Sequence, residues 1–101
     1  DYTKSDFTAD GSLHQKEIRD KVPPNTKAII IKAGASANTV SESFTIKISH
    51  ISGYLIRCLT EGNTKMVYET ATLPLNNNRT LIYSMDAGVD YARFNIIGYY
   101  L

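Results

Sequence analysis

The stretch Phe44-Thr45-Ile46-Lys47-Ile48-Ser49 decides the fold class of this chain. Its apolar side chains alternate with polar ones, which is the period of a β-strand that buries one face and leaves the other in water. Ser52-Gly53 has the residue types of a tight turn, and Tyr54 to Leu59 follows as a second strand-forming run. The sequence therefore predicts an antiparallel hairpin over residues 44–59.

Similar runs on both sides of this hairpin predict further strands. Lys27 to Ala33 has the continuous apolar centre of a strand that is buried on both faces, whereas Gly34 to Ser43 has no apolar period and is expected to be a surface loop. Three more strands are expected after the hairpin, at Thr64 to Leu73, Thr80 to Met85 and Asp90 to Leu101. With a short strand expected within Ser12 to Val22 and a linker or short first strand before it, the total is about seven to eight short strands without a helical stretch. This pattern predicts an all-β fold, an antiparallel β-sandwich or jelly roll.

Composition agrees with strands and sets the size of the domain. Val, Ile, Thr, Tyr and Phe together number 35, against 22 for Ala, Leu, Met, Gln and Glu. The chain has 101 residues, which is enough for one hydrophobic core and too few for two. We expect residues 11–101 to form a single β-sandwich domain and residues 1–10 to be a linker or a short first strand.

Charge and hydropathy argue against two classes of partner. A net charge of +1 lacks the concentrated positive field that binds nucleic acid. The longest apolar runs, such as Ala28 to Ile31, are far shorter than the roughly 20 residues that span a bilayer. We expect no nucleic-acid partner and no membrane insertion.

Residues that could carry catalysis or bind a metal are sparse. His14 and His50 lie 36 positions apart without a spacing such as His-Glu-x-x-His, and Asp86 and Asp90 have no third oxygen-rich neighbour in sequence. Cys58 lies in a predicted apolar strand, where a free cysteine packs as a small hydrophobe. Nucleotide-binding and hydrolase motifs are missing from the sequence. We expect no catalytic residue, no metal and no cofactor, so the chain is not expected to be an enzyme.

The final strand is apolar on both faces near its end. Each face carries three large apolar side chains: Phe94, Ile96 and Tyr100 on one, and Ile97, Tyr99 and Leu101 on the other. A sandwich of this size covers one face of a strand by itself, so a second copy of the chain is expected to cover the other. A well-buried central strand of a monomer would show the same pattern.

The ending Phe94-Asn95-Ile96-Ile97-Gly98-Tyr99-Tyr100-Leu101 resembles the closing strand of the trimeric head domains of bacteriophage tail fibres and receptor-binding proteins. It also resembles the last strand of jelly rolls of the tumour-necrosis-factor and complement-component type. The chain is shorter than those eukaryotic proteins and lacks their other aromatic signatures, so the phage-type head is the better match. The likeness covers roughly the final third of the chain, including Leu73-Pro74-Leu75 and Thr80-Leu81-Ile82-Tyr83.

This resemblance implies a homotrimer at the tip of a virion tail fibre, outside the cell. The C-terminal strands would converge near a threefold axis, with Phe94, Ile97, Tyr99 and Leu101 at the interface between copies. An N-terminal stalk would precede residues 1–10. Heads of this family bind saccharides or proteins on the host cell surface.

Two polar loops are candidates for the ligand site. The first carries Asn76, Asn77, Asn78 and Arg79, and the second carries Asp86, Asp90 and Tyr91. Amides and carboxylates can bond sugar hydroxyls, and a tyrosine ring can stack on the apolar face of a sugar. We expect the two loops to form one ligand-binding rim, although loop tips are also polar where they only face water.

Three functions fit these observations. The leading hypothesis is a non-enzymatic, homotrimeric receptor-binding head that recognises a cell-surface saccharide or protein. The alternative is a monomeric carbohydrate-binding accessory module of a secreted enzyme, which would expose an aromatic platform on one sheet face and bury its final strand within the protomer. The third is a structural trimerisation cap that binds no ligand.

Overall fold

Eight β-strands and one 3-10 turn lie within residues 2–47, 54–75 and 78–101, which a computed structural model describes. In chain order the strands are β1 (Tyr2–Thr3), β2 (His14–Glu17), β3 (Ala28–Ser36), β4 (Val40–Lys47), β5 (Tyr54–Glu61), β6 (Val67–Pro74), β7 (Thr80–Met85) and β8 (Tyr91–Tyr100). The 3-10 turn, Lys4–Asp6, follows β1. The all-β prediction is confirmed.

The strands form two antiparallel sheets, which we call sheet A and sheet B. In the described part of the chain, sheet A has the order β1-β8-β3-β6 and sheet B has the order β2-β7-β4-β5. First and last strands pair in a nested way: β1 with β8, β2 with β7, β3 with β6 and β4 with β5. This is the pairing of one long hairpin rolled up on itself, and it gives an eight-stranded jelly roll.

The predicted hairpin is confirmed as the pair β4–β5. Phe44 lies opposite Cys58, and Ile46 lies opposite Ile56. The four side chains are buried against the facing sheet, as the alternation of the sequence predicts. Ile48 and the expected turn at Ser52-Gly53 lie outside the described residues.

The expected loop over residues 34–43 is wrong for most of its length. β3 continues to Ser36 and β4 begins at Val40, so residues 37–39 alone connect the two strands. Gly34 to Ser36 pair with β8 on one side, and Gly34 and Ala35 also pair with β6 on the other. This segment shows no apolar period because its side chains are small. The interior has room only for small side chains here, and Ala35 and Ala37 are fully buried.

A single core lies between the two sheets. Its largest fully buried side chains come from both sheets, from the segment after β2 and from the turn between β7 and β8: Phe44, Phe94, Ile18, Ile29, Ile31, Ile46, Leu73, Met85 and Val89. Phe7 packs against this core, with its ring centroid 4.9 Å from that of Tyr83 and 5.1 Å from that of Phe44. Residues before position 11 therefore contribute to the same core as the rest of the sandwich.

A β-bulge divides the final strand into two parts. Ile31 lies opposite Ile96 but Ile30 lies opposite Gly98, so Ile97 is an extra residue. One extra residue exchanges the faces of all residues beyond it. Tyr99 thus lies on the face of Ile29 and Tyr100 on the face of Ala28, which reverses the predicted faces of both tyrosines.

Residues 2–47, 54–75 and 78–101 contain no helix that is long and apolar enough to cross a membrane.

Candidate functional site

The outer face of sheet A carries four exposed aromatic and cationic side chains. We call this group, Lys32, Tyr68, Tyr91 and Arg93, the tyrosine face. The strand register sets their spacing: Gly34 of β3 has Tyr68 of β6 opposite on one side and Arg93 of β8 on the other. Residues directly opposite in a ladder share a face, so three neighbouring strands contribute to one surface.

Gly34 positions the ring of Tyr68. A Cβ atom at residue 34 would lie 2.6 Å from Tyr68 Cδ1 and 2.7 Å from Cε1, so the ring lies across the backbone of β3 where no side chain stands. Lys32 Nζ is 4.7 Å from the centroid of the same ring, a cation–π distance. Glycine at position 34 therefore allows the ring to lie flat on the sheet with a cation beside it.

Arg93 and Tyr91 form the second half of the tyrosine face. The Nε and Nη2 atoms of Arg93 donate to the Tyr91 hydroxyl oxygen at 3.3 and 3.1 Å. This hydrogen bond raises the pKa of the Arg93 guanidinium, which stays cationic at every physiological pH. Among the described residues, neither Lys32 nor Arg93 forms an ion pair with a carboxylate.

This arrangement suits a saccharide. A tyrosine ring that is half exposed presents a flat apolar surface to the C–H face of a sugar, and neighbouring cations donate hydrogen bonds to hydroxyl or acidic groups. Tyr68 and Tyr91 are 46% and 43% exposed. The two rings and two cations are thus available to a ligand that lies on the sheet.

The predicted rim is divided between the two ends of the sandwich. Arg79 immediately precedes β7 and Asp86 immediately follows it, so seven positions of extended strand, about 23 Å, separate the two residues. Asn78 is exposed, and Arg79 is half-buried and bonded to the 19–22 segment. Asn76 and Asn77 lie outside the described residues. The structure therefore corrects the expectation that these loops form one site.

Asp86 and Asp90 stabilise the backbone around the turn that joins β7 to β8. Asp86 Oδ2 accepts hydrogen bonds from the N–H and hydroxyl of Ser43 at 2.9 and 3.1 Å. Asp90 Oδ2 accepts from the N–H of Asn38 at 3.0 Å. Both carboxylates therefore have structural partners. Of the second predicted loop, Tyr91 is the residue that reaches the tyrosine face.

The predicted interface residues divide into one buried and three exposed side chains. Phe94 is 2% exposed and packs in the core between Tyr2 and Phe7, so it is not available to a second copy. Ile97, Tyr99 and Leu101 are 59%, 51% and 72% exposed. Tyr100 is exposed as well, and we add it to the group. We call Ile97, Tyr99, Tyr100 and Leu101 the apolar end of β8.

The residues that the sequence offered for catalysis or metal binding are Cys58, His14 and His50. Cys58 is fully buried, and this burial raises the pKa of its thiol to about 11. His14 Nε2 lies 2.8 Å from Asp10 Oδ1, and its ring packs on Tyr83. His50 lies outside the described residues. Groups of three or more His, Cys, Asp or Glu side chains that could hold a metal ion are absent from residues 2–47, 54–75 and 78–101.

Sequence reasoning missed the tyrosine face because its members lie on three different strands. Lys32, Tyr68 and Arg93 are far apart in the chain, and only the register of sheet A brings them together. A glycine inside a strand marks a close approach by another group, but Gly34 was expected to begin a loop, so this signal was missed. No protein-family model matches the chain, and the search of curated proteins found no relative.

Proposed function

We propose that this chain is a receptor-binding head of a bacteriophage tail fibre, a non-enzymatic homotrimer that binds a host cell-surface saccharide on the tyrosine face. The observation that carries the proposal is the position of Tyr68 and Tyr91, half exposed beside Lys32 and Arg93. No described residue of the chain covers this surface. The site would act outside the cell, at the tip of the virion.

The apolar end of β8 supports a homotrimer. Four of the nine large hydrophobic side chains that are exposed in the described residues belong to this end of the chain: Ile97, Tyr99, Tyr100 and Leu101. Exposed apolar side chains concentrated at one end of a strand are typical of an interaction site. Three copies would also raise the effective concentration of each further contact, so weak single sites would suffice to hold a virion.

A monomeric carbohydrate-binding module remains the second candidate, because the exposed tyrosines on one sheet face are also what that function requires. It differs from the head in its oligomeric state. A trimerisation cap differs in binding no ligand. Solution mass and saccharide binding, measured on the same sample, separate the three.

The test is a saccharide array followed by calorimetric titration of the best ligand. We expect Tyr68→Ala and Tyr91→Ala each to weaken binding about 3- to 10-fold, because each removes one stacking surface. Leu59→Ala is the matched control, since Leu59 is an exposed apolar residue on β5 of sheet B. Equal binding by all three variants would exclude the tyrosine face as the site. A trimer that binds nothing on the array would favour the cap.

A further inference from the structure

A small cavity opens at the end of the sandwich where β3 begins and β6 ends. Its volume is about 190 Å³, and its walls are Asn25, Thr26, Lys27, Leu75 and Arg79. The tyrosine face lies further along β3, because Lys32 is about 16 Å beyond Lys27 in an extended strand. The cavity is therefore a place separate from the proposed saccharide site.

Hydrogen bonds from the backbone hold the walls of this cavity. The Leu75 N–H donates to the Lys27 carbonyl oxygen at 2.8 Å, and the Lys27 N–H donates to the Tyr100 carbonyl oxygen at 2.8 Å. The hydroxyl of Thr26 donates to the Pro23 carbonyl oxygen at 2.6 Å. These bonds join the ends of β6, β3 and β8, so the lining side chains stand on a fixed backbone.

Arg79 is held in place on the wall. Its Nη1 atom donates to the carbonyl oxygens of Val22 and Arg19 at 3.2 and 3.4 Å. The φ angle of Arg79 is 55°, in the left-handed region that a residue with a Cβ atom adopts at a cost. Asn25 also has a left-handed φ, 69°. Such backbone is concentrated at binding sites, where the surrounding structure maintains it.

The charge of the cavity is positive and is not balanced locally. Lys27 and Arg79 supply two cations, and among the described residues no carboxylate forms an ion pair with either. A concave surface with cations of one sign attracts an anion. The planar guanidinium matches the oxygen pairs of carboxylate and phosphate groups, and the Asn25 amide can add a neutral hydrogen bond.

We propose that this cavity binds the carboxylate or phosphate group of a small ligand, with Arg79 as the main donor and Lys27 as the second cation. A liquid water molecule occupies about 30 Å³, so the volume accommodates an oxyanion together with a small part of the molecule that carries it. The site does not depend on the proposed function, because the two surfaces share no residue.

The test is a titration of the ¹⁵N-labelled chain with sodium phosphate, sodium acetate and sodium glucuronate at constant ionic strength, followed by amide chemical shifts. We expect saturable shifts at residues 25–27, 75 and 79, with a dissociation constant of roughly 1 to 10 mM. Saturation by phosphate alone identifies a phosphate site, and saturation by acetate and glucuronate identifies a carboxylate site. Both results support the proposal.

Three variants make the result specific. Arg79→Gln and Lys27→Gln should each weaken binding at least about fivefold, whereas Lys65→Gln, which removes an equal charge near Glu61, should not. If Arg79→Gln fails to fold, Lys27→Gln tests the proposal by itself. This substitution leaves the backbone hydrogen bonds of residue 27 to Tyr100 and Leu75 in place. Shifts that do not saturate, or that persist in both cavity variants, would overturn the proposal. Tyr68→Ala and Tyr91→Ala test saccharide binding and should not change the amide shifts at the cavity. A negative result for one proposal therefore leaves the other standing.

Discussion

At the scale of single residues, Gly34 offers a direct test of the tyrosine face. Gly34→Ala would place a methyl group within 3 Å of the Tyr68 ring, which must then leave its place across β3. The ring is half exposed and free to move outward, so we expect the free energy of unfolding to change by less than about 1 kcal/mol. Saccharide affinity should fall as it does in Tyr68→Ala. Unaltered affinity, measured by calorimetry, would mean that the position of the ring is irrelevant to binding.

Cys58 and Tyr2 make stability depend on alkaline pH. Burial raises the pKa of the Cys58 thiol from 9.0 to about 11, and burial with the nearby Asp20 carboxylate raises the pKa of Tyr2 from 10.0 to about 12. The unfolded chain therefore loses these protons at lower pH than the folded chain does. The contribution of these two groups to the free energy of unfolding is therefore fully present below pH 9 and is lost as the pH rises from 9 to 12.

Urea unfolding at pH 8 and pH 10.5 measures the contribution of Cys58. The loss of unfolding free energy between these pH values should be about 2 kcal/mol smaller in Cys58→Ala than in the parent chain. The Tyr2 contribution is common to both and cancels. An equal loss in both proteins would mean that the thiol titrates in the folded state as it does in the unfolded chain.

At the scale of elements, the sequence predicts strands better than it predicts where they end. The period of two places the centres of β4 and β7 correctly, because large apolar side chains on one face are a strong signal. The end of β3 is missed because Gly34-Ala35-Ser36 carries no such signal. The bulge at Ile97 is missed for a different reason: it depends on the register with Ile30 and Ile31, which are distant in sequence.

The turn between β7 and β8 illustrates why polar loops are poor guides to a ligand site. Asp86 accepts two hydrogen bonds from Ser43 of β4, a residue that is itself buried. We expect Asp86→Ala to lower the free energy of unfolding by about 1 to 3 kcal/mol, because both donors of Ser43 lose their partner. Saccharide affinity should stay within about twofold of the parent value.

Asp86→Asn is the matched control for this prediction. It retains one carbonyl oxygen as an acceptor, so chemical denaturation should give a smaller loss than for Asp86→Ala. If Asp86→Ala instead keeps the parental stability and weakens saccharide binding, Asp86 acts as a ligand residue, as the sequence predicted for the polar loops.

At the scale of the whole molecule, fold and site differ in how far they follow from the sequence. An all-β sandwich follows from repeated short apolar periods and turns. The nested pairing of β1 with β8 and of β2 with β7 does not, because it joins the most distant parts of the chain. The tyrosine face depends on the pairing of β3 with β6 and with β8, which also joins parts of the chain that are distant in sequence. Among the predicted ligand residues that the structure describes, Tyr91 alone lies on it, since the others were chosen by polarity and not by position.

The apolar end of β8 gives the prediction that decides between head and monomeric module. If Ile97 and Tyr99 are buried between three copies, Ile97→Lys or Tyr99→Lys would bury a charge without a partner and should yield a folded monomer. Light scattering coupled to size exclusion should give about three times 11.2 kDa for the parent and 11.2 kDa for each variant. Val40→Lys is the control, because Val40 is an exposed apolar residue on sheet B and should leave the mass unchanged. A parent chain that stays monomeric at all concentrations would remove the threefold interface, while the tyrosine face would still be available to a monomeric carbohydrate-binding module.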